Sequence, residues 1–287
     1  MGLFSSKKKP ESQLNAVVLE LSAEVLDHNL NCLIEGSESQ GGIERFTYAL
    51  KVRNEAFKDS FSFNSDKTPD KATLQSLFSF MPTVRRRIAP YLDEITKYKV
   101  LVTAIGKLLE GAEDTTTTDQ RIKDFCKVFP EDKKHRWVRD LATEILHGAS
   151  PELYPLMLRW VWDISSQTGV LRELWYVQDE GSFINIDIDN SYQSYITLRM
   201  ELSQYLTKKG IFRDVLEYVD LLQAQIYANY ICEHGGTYIR ADFSNPEDPM
   251  MHIRRLLGLD GISRKGKSRL KTIEGQYVVF DNQNVLN

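Results

Sequence analysis

Among the residue patterns in this sequence, the one most similar to a known functional motif is a match to the phosphate-binding loop. Residues 261–268 read Gly-Ile-Ser-Arg-Lys-Gly-Lys-Ser and satisfy the formula G-x-x-x-x-G-K-[ST]. In such a loop, backbone N–H groups and the lysine hold phosphates, and the hydroxyl binds magnesium. That loop follows a buried strand and begins a long helix, whereas residues 251–258 have the spacing of an amphipathic helix and only 19 residues follow Ser268. We therefore predict a basic turn here and no nucleotide site.

Other residues with reactive or metal-binding side chains are scattered along the chain. Cys32, Cys126 and Cys232 are about a hundred residues apart, a spacing that fits neither a disulfide framework nor a metal site, so we predict reduced, buried thiols. No two of the five histidines are three or four residues apart, so the helical zinc-ligand spacing is missing. We predict no catalytic residues, no cofactor and no metal.

Positive charge is concentrated near the two ends of an acidic chain. The formal net charge is −4, yet residues 254–271 carry seven basic side chains and one aspartate. Such a segment is typical of contact with an anionic partner. We predict that it binds an acidic protein surface, with nucleic acid as the alternative partner. Its basic residues are Arg254, Arg255, Arg264, Lys265, Lys267, Arg269 and Lys271.

The N-terminus combines apolar side chains with a lysine cluster. Residues 1–6 fit the pattern for N-terminal acylation, a modification that requires removal of Met1. We predict instead an unmodified, disordered basic tail over residues 1–10 that makes weak contact with an anionic membrane surface. The residues expected to make this contact are Leu3, Phe4, Lys7, Lys8 and Lys9.

Tryptophan is concentrated in the middle of the chain, where Trp160, Trp162, Trp175 and Tyr176 lie within 17 positions. Trp160 and Trp162 are two residues apart and cannot share one helix face. We therefore predict that one of them lies near the surface, and that these tryptophans contribute to a protein-binding surface.

Apolar residues recur at helical spacing over most of the chain and predict a mainly α fold, an irregular multi-helix bundle. A polar segment at 113–119 predicts a boundary between an N-terminal helical domain (11–112) and a C-terminal helical domain (119–287). We also predict a small β element near 171–189, with a hairpin around Gly181, and a short C-terminal strand at 274–281. The expected helices span 11–35, 43–60, 69–80, 83–110 (kinked at Pro90), 119–129, 132–147, 151–166, 191–208, 211–233 and 251–258.

The sequence lacks an apolar run of about 18 residues and a secretory signal, so we predict a cytoplasmic protein, with peripheral attachment at the inner membrane surface as the alternative. The function we predict is that of a non-catalytic adaptor or accessory subunit that docks through aromatic helix faces and basic termini. A nucleic-acid-binding protein that uses residues 254–271 is one alternative. Another is an enzyme whose site combines sequence-distant carboxylates. The oligomeric state is left open.

Overall fold

The computed structural model describes residues 18–61, 63, 69–175, 185–234, 250–262 and 267–279. Over these ranges the chain is mostly helical and has a small two-stranded antiparallel sheet near the C-terminus. The predicted fold class is therefore confirmed. No helix within the described ranges is long and apolar enough to cross a bilayer.

The helices are α1 (Ala23–Glu38), α2 (Ile43–Ser60), α3 (Lys71–Ser79), α4 (Ala89–Asp93), α5 (Ile95–Leu109), α6 (Thr118–Lys127), α7 (Trp137–Ala149), α8 (Val170–Leu174), α9 (Tyr192–Lys208), α10 (Val215–His234) and α11 (Met251–Leu256). Short 3-10 turns cover Thr115–Thr117 and Lys133–His135. The strands are β1 (Lys267–Lys271) and β2 (Tyr277–Val279).

Helix α10 lies at the centre of the bundle and packs against α1, α2, α8, α9 and α11. It is buried on several faces, as expected for a helix surrounded by others. Apolar side chains from Leu26 in α1 to Leu270 in β1 form one continuous core within the described residues. The division of the chain into two domains stays a prediction.

The predicted helix over 83–110 is two helices, and the break lies elsewhere than expected. Pro90 is in the first turn of α4, where a missing N–H leaves no helical hydrogen bond unmade. The chain instead becomes extended at Glu94, between α4 and α5. The kink predicted at Pro90 is therefore wrong.

The predicted helix over 151–166 is also wrong, because these residues form turns and an extended stretch. Pro151 and Pro155 remove backbone donors, and side chains of α7 bind the carbonyl groups instead. Arg139 Nη1 donates to Met157 O at 2.8 Å, and His147 Nδ1 lies 2.8 Å from Tyr154 O.

This irregular backbone overturns the expectation that Trp160 or Trp162 is exposed. Both side chains are buried, at 8% and 1% exposure, and Trp162 Nε1 donates to Ile188 O at 3.0 Å. Residues two positions apart point in different directions on a helix, but in a turn both indoles can point inward. Trp175 is half-buried and forms an isolated β-bridge with Leu21.

The small β elements are partly as predicted. β2 lies within the predicted strand 274–281 and pairs antiparallel with β1, a strand that we did not predict within the basic segment. Residues 170–174 are helical, and the hairpin expected around Gly181 lies outside the described residues. Residues 18–22 are not helical, so the first helix starts later than predicted.

Gly258 allows α11 to pack closely on the end of α3. Its φ is +71°, and an added Cβ atom would lie 1.7 Å from the carbonyl oxygen of Phe80. Gly210 also has a positive φ, +86°, but faces open space. A substitution at Gly210 therefore tests backbone strain alone, whereas a substitution at Gly258 tests backbone strain and steric overlap together.

We expect Gly258→Ala to destabilise the protein more than the matched control Gly210→Ala. Gly210→Ala should lower the free energy of unfolding by about 1–2 kcal/mol, because alanine is strained in the left-handed backbone conformation. Gly258→Ala should lower it by about 1–3 kcal/mol more, because the added Cβ atom also overlaps the Phe80 carbonyl group. Urea unfolding of both variants measures the difference. Equal losses in the free energy of unfolding would show that the contact with Phe80 is unimportant.

Candidate functional site

A cleft lined by basic side chains lies between three segments that are far apart in sequence, and Arg159 from a fourth segment completes its lining. It consists of two adjoining cavities of about 590 and 600 Å³, which share Arg85, Arg86 and Arg269. Among the described residues, neither cavity has an aspartate or glutamate in its lining. We call this surface the basic cleft. Its ten basic residues are Arg85, Arg86, Arg87, Lys133, Lys134, Arg136, Arg159, Arg255, Arg269 and Lys271.

The first wall is the turn over residues 82–87, which follows α3. Val84 and Ile88 are buried in the core and anchor this turn, while Arg86 and Arg87 are exposed. Arg85 points inward and is only 4% exposed. Its Nη1 donates to Ser79 O at 3.1 Å and to Asp260 Oδ1 at 3.0 Å.

The second wall is the 3-10 turn that begins at Lys133. Asp132 caps it, because its Oδ1 accepts from the N–H groups of Lys134 at 2.7 Å and His135 at 3.1 Å. The hydrogen bond with the His135 side chain lowers the pKa of Asp132. Trp137, which is buried, anchors the other end of the turn and leaves Lys133, Lys134 and Arg136 exposed.

The third wall comes from the predicted basic segment. Arg255 of α11 and Arg269 and Lys271 of β1 line the cleft. Asp260 is 13% exposed and pairs with both Arg85, at 3.0 Å, and Arg269, at 3.2 Å. One carboxylate between two guanidinium groups leaves a net positive charge at the junction of the two cavities.

The other members of the basic segment are placed differently. Arg254 donates to Gln40 Oε1 at 2.7 Å, and the Lys267 ammonium lies over the Tyr277 ring. Arg264 and Lys265 lie outside the described residues, as do Leu3, Phe4, Lys7, Lys8 and Lys9.

Seven of the ten cleft residues were not predicted from the sequence, although two of their segments carry a local signal. Residues 85–87 are three consecutive arginines, and residues 133–136 read Lys-Lys-His-Arg. Both are short basic runs on an acidic chain. A count of charge in short windows would have found them, but not their proximity.

Two carboxyl groups of α7 lie behind the cleft. Asp140 Oδ2 accepts from Arg159 Nη2 at 3.2 Å, and Thr83 Oγ1 lies 3.4 Å from Glu144 Oε1. Burial raises the pKa of Glu144 to about 8, although the nearby charges of Arg53 and Arg85 oppose this shift. Burial also raises the pKa of Asp140. The raised pKa of Glu144 favours its neutral form, which does not cancel positive charge in the cleft, whereas Asp140 pairs with Arg159 of the cleft lining.

The residues that match the phosphate-binding loop, 261–268, occupy a different place in the fold from that of such a loop. They connect α11 to β1, whereas a phosphate-binding loop connects a strand to a helix. Ser268 is buried and accepts from the Leu270 N–H at 3.2 Å.

The three cysteines lie on different helices, α1, α6 and α10. Burial raises the pKa of all three thiols, which disfavours the reactive thiolate. They are free, but none is fully buried, contrary to our expectation: Cys32 and Cys126 are half-buried and Cys232 is exposed. In the ranges that the structure describes, no group of three or more His, Cys, Asp or Glu residues could hold a metal ion.

We expect the stability of the protein to fall as the pH rises from about 4.5 to 8, because of Glu144. Its folded-state pKa, about 8, lies above the ordinary value of 4.5, so unfolding in this window releases a proton and becomes easier as protons become scarcer. The slope from this group is at most about 1.4 kcal/mol per pH unit. Glu144→Gln, which is neutral and has the same shape, should flatten the pH dependence.

The same substitution at Glu201, which is exposed on α9, is the matched control and should leave the slope unchanged. Urea unfolding at pH 5, 6, 7 and 8 gives the comparison. If Glu144→Gln has a profile parallel to that of the wild type, the raised pKa of Glu144 is refuted.

Comparison with known proteins identified no match to any protein-family model, curated protein or solved structure.

Proposed function

We propose that this chain is a non-catalytic binding protein that holds a polyanionic partner in the basic cleft. The proposal rests on one observation. Ten basic side chains in the described part of the chain line one concave surface, although the net charge of the chain is −4. Like charges held together repel one another, and an anion that enters the cleft relieves this repulsion. Such a surface therefore favours association with anions.

The choice of side chain supports the same conclusion. Seven of the ten cleft residues are arginine, whose planar fork donates two parallel hydrogen bonds to a carboxylate or a phosphate. An acidic protein segment and a phosphate chain both offer such groups. The function that we propose is thus an adaptor or accessory subunit that recognises its partner by charge.

The proposed contact differs from the surface that we predicted from the sequence. Trp160 and Trp162 are buried, so we do not include aromatic helix faces in the proposed contact. The basic segment contributes Arg255, Arg269 and Lys271 to the cleft. A cytoplasmic location and contact of the N-terminus with anionic membranes stay predictions from the sequence.

We expect the protein to bind labelled polyphosphate or polyglutamate, and Arg86→Glu to weaken this binding about tenfold or more. Arg86 is exposed and lines both cavities, so charge reversal replaces an attraction by a repulsion. Affinity should fall steeply as salt increases, because the partner displaces counterions. Fluorescence anisotropy at several salt concentrations measures both effects.

Lys123→Glu is the matched control, because Lys123 is exposed on α6 and does not line the cleft. It should bind like the wild type. The proposal is wrong if the wild type binds neither polyanion, or if the two charge reversals have equal effects.

A further inference from the structure

The outer face of β1 carries a row of three cations. Lys267, Arg269 and Lys271 are exposed and alternate with buried Ser268 and Leu270. Alternate residues of a strand point to the same face and are about 6.8 Å apart. The pairing of β1 with β2 shifts register between Lys267 and Lys271. Arg269 and Lys271 of this row line the basic cleft, and Lys267 extends the row along the C-terminal hairpin.

An aromatic ring lies beside this row. Tyr277 of β2 is paired with Lys271 in the sheet and is 44% exposed. The ammonium groups of Lys267 and Lys271 lie 4.4 and 4.9 Å from the centre of its ring. Tyr277 thus presents an aromatic surface that is surrounded by positive charge.

The two cavities of the cleft differ in chemistry because the ring of Tyr277 is exposed, whereas Trp137, the aromatic residue in the lining of the first cavity, is buried. The first is lined mainly by cations, whereas the second combines cations with Tyr277, Ile273 and Pro90. Polyphosphate or an acidic peptide requires only the cations. A nucleic acid also has flat bases, which stack on aromatic side chains.

We infer that the polyanion held in the basic cleft is a single-stranded nucleic acid, with its phosphates along the cations and one base stacked on Tyr277. This inference rests on the proposed function. On binding, the flexible stems of Lys267 and Lys271 allow their ammonium groups to move from the ring to the phosphates, and the base takes their place.

Two other nucleic-acid ligands fit less well. In a duplex the bases are already stacked on one another, and a ring on the protein surface gains contact only with an unstacked base. Arg85 and Arg159 are already paired with Asp260 and Asp140, but a free nucleotide still carries too few phosphates to contact the remaining basic residues, which line two adjoining cavities. The extent of the cleft and the exposed ring together favour a single strand.

The test compares a labelled 12-nucleotide oligothymidine with an abasic sugar–phosphate chain of the same length, by fluorescence anisotropy. We expect the wild type to bind the oligothymidine more tightly. Tyr277→Ala should weaken that binding about 5- to 150-fold, the range for loss of one stacked base, and leave binding of the abasic chain unchanged. Tyr277→Phe, which keeps the ring, should retain most of the affinity for the oligothymidine.

Two further measurements complete the test. Lys271→Gln should reduce the slope of log affinity against log salt by about 0.7, as expected for one lost contact with a single-strand phosphate. Tyr277 lies on an exposed hairpin face, and equal urea midpoints for the wild type and Tyr277→Ala will confirm that the variant is folded.

The outcomes distinguish this inference from the proposed function. If both chains bind equally and Tyr277→Ala changes neither affinity, while Arg86→Glu weakens both, the nucleic-acid inference is overturned and the polyanion-binding function stands. Tighter binding of a duplex, or equally tight binding of ADP, also overturns it. If no polyanion binds, both are wrong.

Discussion

The carboxylate of Asp260 lies between the guanidinium groups of Arg85 and Arg269, and the basic cleft depends on this arrangement. Arg85 and Asp260 are 175 positions apart in sequence. Because Arg85 is almost fully buried, an unpaired charge at this position would cost several kcal/mol. The ion pair therefore brings the turn after α3 and the C-terminal segment together, although both carry positive charge. Gly258 adds a steric constraint at the same junction, since only a residue without a side chain fits against Phe80.

The central helices are held in register by a buried polar cluster. Arg53 of α2 donates to Leu257 O at 2.6 Å, and this contact ties α2 to the end of α11. The His147 ring of α7 lies between Tyr154 O, at 2.8 Å from Nδ1, and Asp220 of α10, at 3.1 Å from Nε2. The Nε2 atom makes no well-directed hydrogen bond, and its contact with Asp220 is a close approach of two buried polar groups. Sliding one helix past another would separate these groups in the core, which favours a single packing of α2 against α11 and of α7 against α10.

The sequence predicted those parts of the fold that depend on local pattern. Helices such as α2, α9 and α11 follow from apolar spacing, and β2 from its alternating residues. The stretch after Pro151 was predicted wrongly because buried irregular backbone is as apolar as a buried helix, and its hydrogen bonds go to side chains from α7. Of the basic cleft, only the wall that contains Arg255, Arg269 and Lys271 was predicted from the sequence as a contact surface. The other two walls lie next to this wall because of tertiary packing, which cannot be read from a local sequence pattern.

The separation of Arg85 from Asp260 also has a consequence for the order of events during synthesis. A ribosome adds roughly 5–20 residues per second, so about 9–35 s pass between the emergence of the two residues. During this interval the turn after α3 has no carboxylate partner for Arg85, and the wall made by α11 and β1 does not yet exist. The basic cleft is therefore completed only after α11 and β1 have emerged and packed against this turn. Until then the growing chain carries an unassembled cleft beside a ribosome whose RNA is itself a polyanion.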